Sequence, residues 1–357
     1  MKVMMTADTI GGVWTYAVEL IRALPQVQFA LATMGGEPEA LELPNVQVFP
    51  GRYALEWMDE PWAEVDRAGE WLLEIARDFQ PDLVHLNGYA HAVLPWNAPT
   101  VVVAHSCVFS WWKAVKGEKP PPQFDEYHRR VRSGLAAAAL VIAPTAAMLN
   151  SLGENYDFAG DGRVIFNARD PQLFPPGYKR NVICAAGRFW DEAKNLATLE
   201  AAAPHVRWPI EVAGGGTSFR SSMDTPKRVP PLRFLGRLPA EQVPAMFAAA
   251  AIYAFPARYE PFGLSVLEAA LSGCALVLGE IPSLREVWGD AAMFVPPNDC
   301  VALAAALNGL IEDPAARAAM AERARGRAAE FSPRRMAKAY LHAYADCLTS
   351  SAAEAVA

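Results

Sequence analysis

Hydrophobic residues in this chain follow two alternating patterns. Short apolar runs predict buried strands, and longer segments with apolar residues every three or four positions predict amphipathic helices. In the first half, strands are predicted at residues 1–7, 29–33, 46–49, 83–86, 100–104, 140–143 and 164–166, with helices such as 56–79 and 124–139 between them. This alternation indicates a parallel sheet with helices on both faces.

The alternation stops at residues 167–181 and begins again with an apolar run at 182–186. The intervening segment contains three prolines and a glycine and has no periodicity, as is typical of a domain boundary. A chain of 357 residues can form two domains with separate cores. We therefore predict a first domain at 1–167 and a second at 168–333.

Composition narrows the possible partners. With 52% hydrophobic and 20% charged residues, the chain has the composition of a folded protein, and its net charge of −7 argues against nucleic acid as a partner. No apolar run approaches the roughly 18–20 residues of a membrane span, so we expect no stable membrane insertion. The N-terminus predicts a strand and not a signal peptide, and the five cysteines have no metal-ligand spacing; we expect a cytoplasmic protein.

The most informative stretch is 252–278, which predicts a strand, a loop, a helix and a second strand. The loop contains Glu260, and the helix, which is predicted to begin near Gly263, contains Glu268. Free backbone N–H groups at the electropositive start of a helix can bind a phosphate. Two carboxylates would repel a bare phosphate but can accept hydrogen bonds from the ribose and hexose hydroxyls of a nucleoside diphosphate sugar. Alternatively, Glu268 only complements the helix dipole, worth about 0.3–1 kcal/mol.

The run EPFGLSVLEA at 260–269 resembles the E-x7-E signature of the retaining family 4 glycosyltransferases. The resemblance implies the GT-B fold, in which two Rossmann-like α/β domains have parallel sheets that face each other across a cleft. It implies that Glu260 binds the donor hexose, Glu268 the ribose and the amides of residues 263–265 the diphosphate. It also implies that a C-terminal helix, at about 334–357, packs back on the first domain.

A second motif follows the strand at 182–186. Arg188 and Lys194 lie in a β-to-α loop, where a diphosphate commonly binds, although such a pair can equally be a solvated surface. Together with the two glutamates, they resemble the family's G-R-x5-K phosphate clamp, with Asn195 in place of the frequent glycine. The glycines at 213–216 resemble the family's glycine turn, or form a flexible turn only.

In the first half, polar residues follow predicted strands. Asn87 and His105 come after the strands at 83–86 and 100–104, and His105 resembles the histidine that family members place near the donor hexose. A histidine at a strand end can also be a hydrogen-bonded core group. Trp111 and Trp112, predicted to lie in a loop, would form an acceptor wall or only pack that loop.

The resemblance thus implies a set of site residues. The expected catalytic residues are His105, Glu260, Arg188 and Lys194. The expected donor-binding residues are Gly12, Arg188, Lys194, Gly236, Arg237, Leu238, Glu260, Phe262, Gly263, Leu264, Ser265 and Glu268. The expected acceptor-binding residues are Gly11, Asn87, Trp111 and Trp112.

The implied reaction is transfer of a hexosyl group from a UDP- or GDP-sugar to a small-molecule or glycan acceptor, with retention of configuration. No cofactor is expected, and no metal, because the chain lacks a D-x-D sequence. Two alternatives remain. One is a GT-B-type epimerase acting on UDP-N-acetylhexosamine, and the other is a catalytically inactive GT-B binding subunit.

Overall fold

The computed structural model describes residues 1–215 and 232–354. The glycine turn expected at 213–216 and the helix expected to end at 357 therefore extend beyond the described residues. Contacts between Cα atoms divide the chain into two compact units. The first is Met1–Ala168 together with the chain from Pro333 onward, and the second is Arg169–Ser332.

The first unit contains a sheet in which neighbouring strands pair in parallel. Its strands are β1 (Lys2–Asp8), β2 (Gln28–Met34), β3 (Val46–Pro50), β4 (Leu83–Leu86), β5 (Thr100–Val103), β6 (Leu140–Ala143) and β7 (Gly162–Val164), in the order β3-β2-β1-β4-β5-β6-β7. All residues of β4, β5 and β6 are buried, because helices cover both faces of the sheet.

The helices of the first half are α1 (Gly12–Ala23), α2 (Trp62–Phe79), α3 (Val108–Lys116), α4 (Asp125–Ala137) and α5 (Ala146–Tyr156). Three expectations need correction. The helix predicted at 56–79 begins only at Trp62, after Glu60, which has a left-handed backbone (φ 43°), and Pro61. The tryptophans expected in a loop lie on α3, and the strand expected at 164–166 lies at 162–164.

The second unit repeats the architecture. Its strands are β8 (Arg180–Ala186), β9 (Ile210–Ala213), β10 (Leu232–Gly236), β11 (Ala250–Phe255), β12 (Ala275–Gly279) and β13 (Met293–Val295), in the parallel order β10-β9-β8-β11-β12-β13. Its helices are α6 (Leu196–Ala202), α7 (Val243–Ala249), α8 (Leu264–Leu271), α9 (Pro282–Trp288), α10 (Cys300–Glu312) and α11 (Pro314–Ala328).

The last helix, α12 (Pro333–Glu354), belongs to the first unit. Met336, Tyr340 and Tyr344 are almost completely buried in the same apolar cluster as residues of α1 and β1. This helix therefore completes a core that the first 168 residues begin.

Both sheets have the strand order of a doubly wound α/β fold, which confirms the predicted fold class. In each sheet the order reverses beside its first strand, because β1 lies between β2 and β4, and β8 lies between β9 and β11. Ligands of such sheets bind at the carboxyl ends of the strands next to this reversal. Ligand sites are thus expected in the loops that follow β1, β4, β8 and β11.

Candidate active site

Glu260, in the loop after β11, is fixed from three directions. Its Oε2 lies 2.8 Å from Lys194 Nζ, and the two side chains are only 17% and 10% exposed. Its Oε1 accepts a hydrogen bond of 3.0 Å from the backbone N–H of Gly263, and its carbonyl oxygen accepts one of 2.5 Å from Ser283 Oγ. The carboxylate therefore has a defined orientation at the start of α8.

The start of α8 depends on a glycine. Gly263 has φ +90°, and a Cβ there would lie 2.9 Å from Val266 Cγ2. The Gly263 amide, which the sequence assigned to a diphosphate together with those of Leu264 and Ser265, instead binds Glu260. Ser265 Oγ lies 2.8 Å from Tyr253 OH, which also hydrogen-bonds the carbonyl of Ala186. Tyr253 thereby connects the first turn of α8 to the end of β8.

The loop after β8 contains both predicted cations. The Arg188 guanidinium lies 5.4 Å from the centre of the Trp190 ring and is half-buried. Lys194 is 8% exposed and lies 5.9 Å from the centre of the Phe255 ring, so its ammonium group is enclosed by an aromatic face and Glu260. A buried ammonium group needs such a partner, because an uncompensated charge in this position would be costly.

Asn195 follows Lys194 with a left-handed backbone, φ 56° and ψ 49°. Asparagine tolerates this conformation better than most residues, which explains why it can replace the family's glycine. Its Nδ2 donates to the carbonyls of Pro256 and Pro297, at 2.9 and 2.6 Å. The side chain thus joins the Lys194 loop to the loop that follows β11.

Glu268, on α8, lies next to a residue that the sequence did not single out. Its Oε1 is 2.8 Å from Nε of Arg169, and the two side chains are 13% and 15% exposed. Arg169 is the first residue of the second unit. Glu268 is therefore an ion-paired carboxylate and more than a complement to the helix dipole.

Three glycines, Gly187, Gly214 and Gly236, lie close together at the carboxyl ends of β8, β9 and β10. Gly214 donates to the carbonyl of Gly236, and a Cβ on Gly214 would lie 1.8 Å from the carbonyl oxygen of Gly187. Only glycine fits so close an approach. Arg237 and Leu238 follow Gly236 directly, while the Phe262 side chain is 2% exposed and packs edge-on against Phe331. Phe262, expected to bind the donor, is therefore a core residue whose backbone N–H points to Glu260 Oε1 at 3.4 Å.

In the first unit, Asn87 holds His105. Asn87 Nδ2 donates to the Thr6 carbonyl at 2.6 Å, so its Oδ1 faces the imidazoles and accepts from His105 Nε2 at 2.8 Å. Because a carbonyl oxygen can only accept, this arrangement assigns the proton of His105 to Nε2 and leaves a lone pair on Nδ1. Asn87 was predicted to bind the acceptor; in the structure its side chain orients the His105 ring.

His85 extends this network into the core. It is completely buried, with Nε2 3.2 Å from Asn87 Oδ1 and Nδ1 2.6 Å from Tyr344 OH on α12. Burial lowers the pKa of His85 to about 3. Burial, and to a smaller extent the neighbouring His85, lowers the pKa of His105 to about 3 as well. Both rings are therefore neutral at physiological pH.

The remaining first-unit candidates are less closely connected to this network. Gly11, with φ 119°, precedes α1, and Gly12 is the first residue of that helix, so both follow the carboxyl end of β1. Trp111 and Trp112 lie next to each other on α3, with ring centres 5.6 Å apart, and Trp112 also packs against Phe124. Their aromatic contacts are accounted for by packing within α3 and the segment before α4.

Two features are absent from the described residues, a metal-binding cluster and a membrane-spanning helix. No group of three or more histidine, cysteine, aspartate or glutamate side chains in residues 1–215 and 232–354 could hold a metal ion. In the same part of the chain, no helix is both long and apolar enough to cross a membrane.

Sequence patterns missed four residues that contact the predicted site: Arg169, His85, Tyr253 and Ser283. Arg169 and Ser283 lie in other segments than their partners Glu268 and Glu260, so no local motif indicates them. His85 and Tyr253 lie in fully buried strands, where the apolar pattern predicts core residues.

Comparisons with known proteins agree with this architecture. D-inositol 3-phosphate glycosyltransferase of Corynebacterium aurimucosum is 25% identical over an alignment of 393 positions, which covers 95% of this chain and 92% of that protein. The structure of sucrose-phosphate synthase from Thermosynechococcus elongatus superimposes with a TM-score of 0.84 at 18% identity, covering 98% of this chain and all of that one. Anabaena HepE in complex with UDP-glucose gives a TM-score of 0.72 at 18% identity, again over 98% and 100% of the chains.

Fold and site together define a glycosyltransferase of the GT-B type. Family models match both halves of the chain: "Glycosyltransferase Family 4" at residues 10–173 and "Glycosyl transferases group 1" at residues 180–313. The chain belongs to glycosyltransferase family 4, and the family resemblance seen at 260–269 is confirmed.

Proposed function

We propose that this enzyme transfers a hexosyl group from a nucleoside diphosphate sugar to an acceptor hydroxyl with retention of configuration. The bond from the hexose C1 to the β-phosphate oxygen breaks, and a bond from C1 to the acceptor oxygen forms. The acceptor proton leaves with the nucleoside diphosphate. UDP-glucose is the donor to test first, since the HepE structure of the same fold holds it, and GDP-sugars are the second choice.

The observation that carries this proposal is the arrangement of Glu260 between Lys194 and the start of α8. A carboxylate fixed in this way can accept hydrogen bonds from hexose hydroxyls, while Lys194 lies within 2.8 Å of it. Arg188, in the same loop as Lys194, supplies a further cation for the leaving diphosphate. Preorganised charge of this kind stabilises the charge that develops on a leaving group.

The first unit contributes His105, which we assign to the donor hexose. Its neutral ring offers the Nδ1 lone pair as an acceptor, because Nε2 is bound to Asn87. A neutral acceptor suits a sugar hydroxyl, which can donate its proton. We place the acceptor near Gly11, Asn87, Trp111 and Trp112.

A thermal-shift panel of UDP- and GDP-sugars tests the donor. Ligand at about 100 times Kd should stabilise the protein by about 2.7 kcal/mol. The Glu260→Gln variant should lose almost all turnover. Glu211→Gln is a matched control, because Glu211 is also a buried glutamate of the second unit, paired with Arg180 3.1 Å away. Equal losses in both variants would remove Glu260 from the site.

Product analysis separates the alternatives. An α-linked donor should give an α-linked product by NMR, and an inverted product would contradict the retaining assignment. Donor incubated without acceptor should give no epimer. Binding of donor without turnover on any acceptor would instead favour an inactive binding subunit.

A further inference from the structure

Arg169 is held in place beside Glu268 by an ion pair, an aromatic ring and a backbone hydrogen bond. Its Nε lies 2.8 Å from Glu268 Oε1, and its guanidinium lies 5.0 Å from the centre of the Phe174 ring. Its backbone N–H donates to the carbonyl of Phe331 at 3.4 Å. An ion pair in which both side chains are about 85% buried, with one partner packed on an aromatic ring, has little freedom to reorient.

The segment around Arg169 is itself fixed. Asn167 and Ala168 are buried, at 6% and 1% exposure, and Asp170 Oδ1 accepts from the Gln172 N–H at 2.9 Å. The arginine is therefore presented to Glu268 by an ordered backbone. An exposed salt bridge of two mobile side chains would not give such a fixed geometry.

We propose that Arg169 is a positioning residue that fixes the Glu268 carboxylate so that it selects a ribonucleotide over a 2′-deoxyribonucleotide. This inference rests on the proposed function, in which Glu268 binds the donor ribose. A carboxylate whose orientation is fixed binds both ribose hydroxyls in one geometry and is left without a partner when one hydroxyl is missing. Sites built around a substrate hydroxyl reject analogues that lack it for this reason.

Without Arg169, Glu268 could rotate toward water when the 2′-hydroxyl is absent, and selectivity would fall. Lysine would keep the positive charge but not the planar guanidinium that pairs with a carboxylate and stacks on Phe174. The geometry of the arginine, and not only its charge, is therefore the feature to test.

The experiment is calorimetric titration of the whole protein with UDP and 2′-deoxy-UDP, and in parallel with GDP and 2′-deoxy-GDP. The wild-type protein should bind the ribonucleotide about tenfold or more tightly, as expected for one lost hydrogen bond to a charged group. Glu268→Gln and Arg169→Met should each reduce this ratio to about threefold or less. Arg169→Lys should give an intermediate ratio with a melting temperature close to that of the wild type, so that a folding defect is recognised.

Arg180→Met is the matched control, because it removes the arginine of another ion pair of the second unit, with Glu211. Its ribose preference should equal that of the wild type. If Arg169→Met keeps the full preference while Glu268→Gln loses it, Arg169 is only structural and the inference is wrong, whereas the proposed function stands. Tighter ribonucleotide binding by Arg169→Met would also overturn it. Equal binding of both sugars by the wild-type protein, or no nucleotide binding, would refute the ribose assignment itself.

Discussion

Asn195 combines a left-handed backbone with side-chain hydrogen bonds to two loops. The left-handed backbone at this position would normally favour glycine, but glycine could not join two loops. The Asn195 amide donates to the carbonyls of Pro256 and Pro297, and its Oδ1 accepts from Thr198 Oγ1 at 3.0 Å. Lys194 is thereby anchored by its immediate neighbour.

We expect Asn195→Ala to lower the free energy of unfolding by about 2–4 kcal/mol, since alanine loses the hydrogen bonds and is strained at φ 56°. Asn195→Gly should cost about half as much, because it loses the hydrogen bonds but accepts the backbone. Urea unfolding measures both values. An alanine variant as stable as the glycine variant would show that the conformation contributes nothing.

The buried His85 makes stability depend on pH. Its pKa of about 3 in the folded protein is below the usual 6.5 of an unfolded chain, so the unfolded state binds the extra proton as pH falls below 6.5. Stability is therefore lost on acidification, at up to about 1.4 kcal/mol per pH unit for one such group.

The His85→Gln variant should remove the contribution of His85 to this slope, while His105, whose pKa is also about 3, keeps its own. The free energy of unfolding, measured between pH 6 and pH 4.5, should fall less steeply in the variant by about one proton, even if the variant is less stable at pH 7. Parallel lines for the two proteins would mean that His85 is protonated in the folded state.

For single residues, motifs predicted the residue types at the site but not the partners that those residues contact. The sequence indicated Lys194, Glu260 and Glu268, since each belongs to a local pattern. It did not indicate that Lys194 pairs with Glu260 or that Arg169 pairs with Glu268, because each contact joins segments that are more than sixty residues apart and only packing brings them together.

Among the elements, α8 connects the fold most directly to the candidate chemistry. It is short, from Leu264 to Leu271, and it has apolar residues on nearly every side, with five of its eight residues buried. Its position is therefore fixed by packing against α7, α11 and the strands β11 and β12, and its first turn is brought to the carboxyl end of β11. The glycine before it determines the direction in which the Gly263 amide points.

Gly263→Ala should lower the free energy of unfolding by about 1–3 kcal/mol, because φ +90° and the contact with Val266 both oppose a Cβ. Turnover should fall at least tenfold, since the Gly263 amide would move away from Glu260. Gly309→Ala, in the last turn of α10, where a Cβ would meet nothing within 4 Å, is the control and should stabilise by about 0.5–1 kcal/mol.

Full activity in Gly263→Ala would mean that the amide does not orient Glu260.

The positions of most strands and of α8 were predictable because apolar runs and helical spacing are strong there. The start of α2 was not, because the residues before Pro61 continue the helical pattern although the left-handed Glu60 interrupts the helix. Local periodicity cannot detect such a break.

For the whole molecule, the β–α alternation was sufficient to predict a parallel sheet with helices on both faces, since this pattern has few other solutions. The two Rossmann-like domains were expected only from the family resemblance. The break at 167–181 indicated a boundary, and the structure divides the chain after Ala168. That α12 completes the core of the first unit was expected only from the family resemblance. Periodicity alone would have assigned this helix to the second unit, which it directly follows.

The last prediction is that turnover requires no divalent metal. A departing nucleoside diphosphate carries growing negative charge, which needs positive charge in a preorganised site. In the structure Lys194 is paired with Glu260, so this pair adds no net charge to the site. Arg188 and the electropositive start of α8 then supply most of the remaining positive charge.

We therefore expect Arg188→Ala to lower kcat more than it raises KM for the donor, by about tenfold or more, because the interaction strengthens in the transition state. Arg207→Ala is the control, since Arg207 forms an exposed ion pair with Glu312 in the same unit. Wild-type turnover in excess EDTA should equal that without it. Activity that EDTA removes and Mg²⁺ or Mn²⁺ restores would show that a metal supplies the charge, and the role assigned to Arg188 would then be wrong.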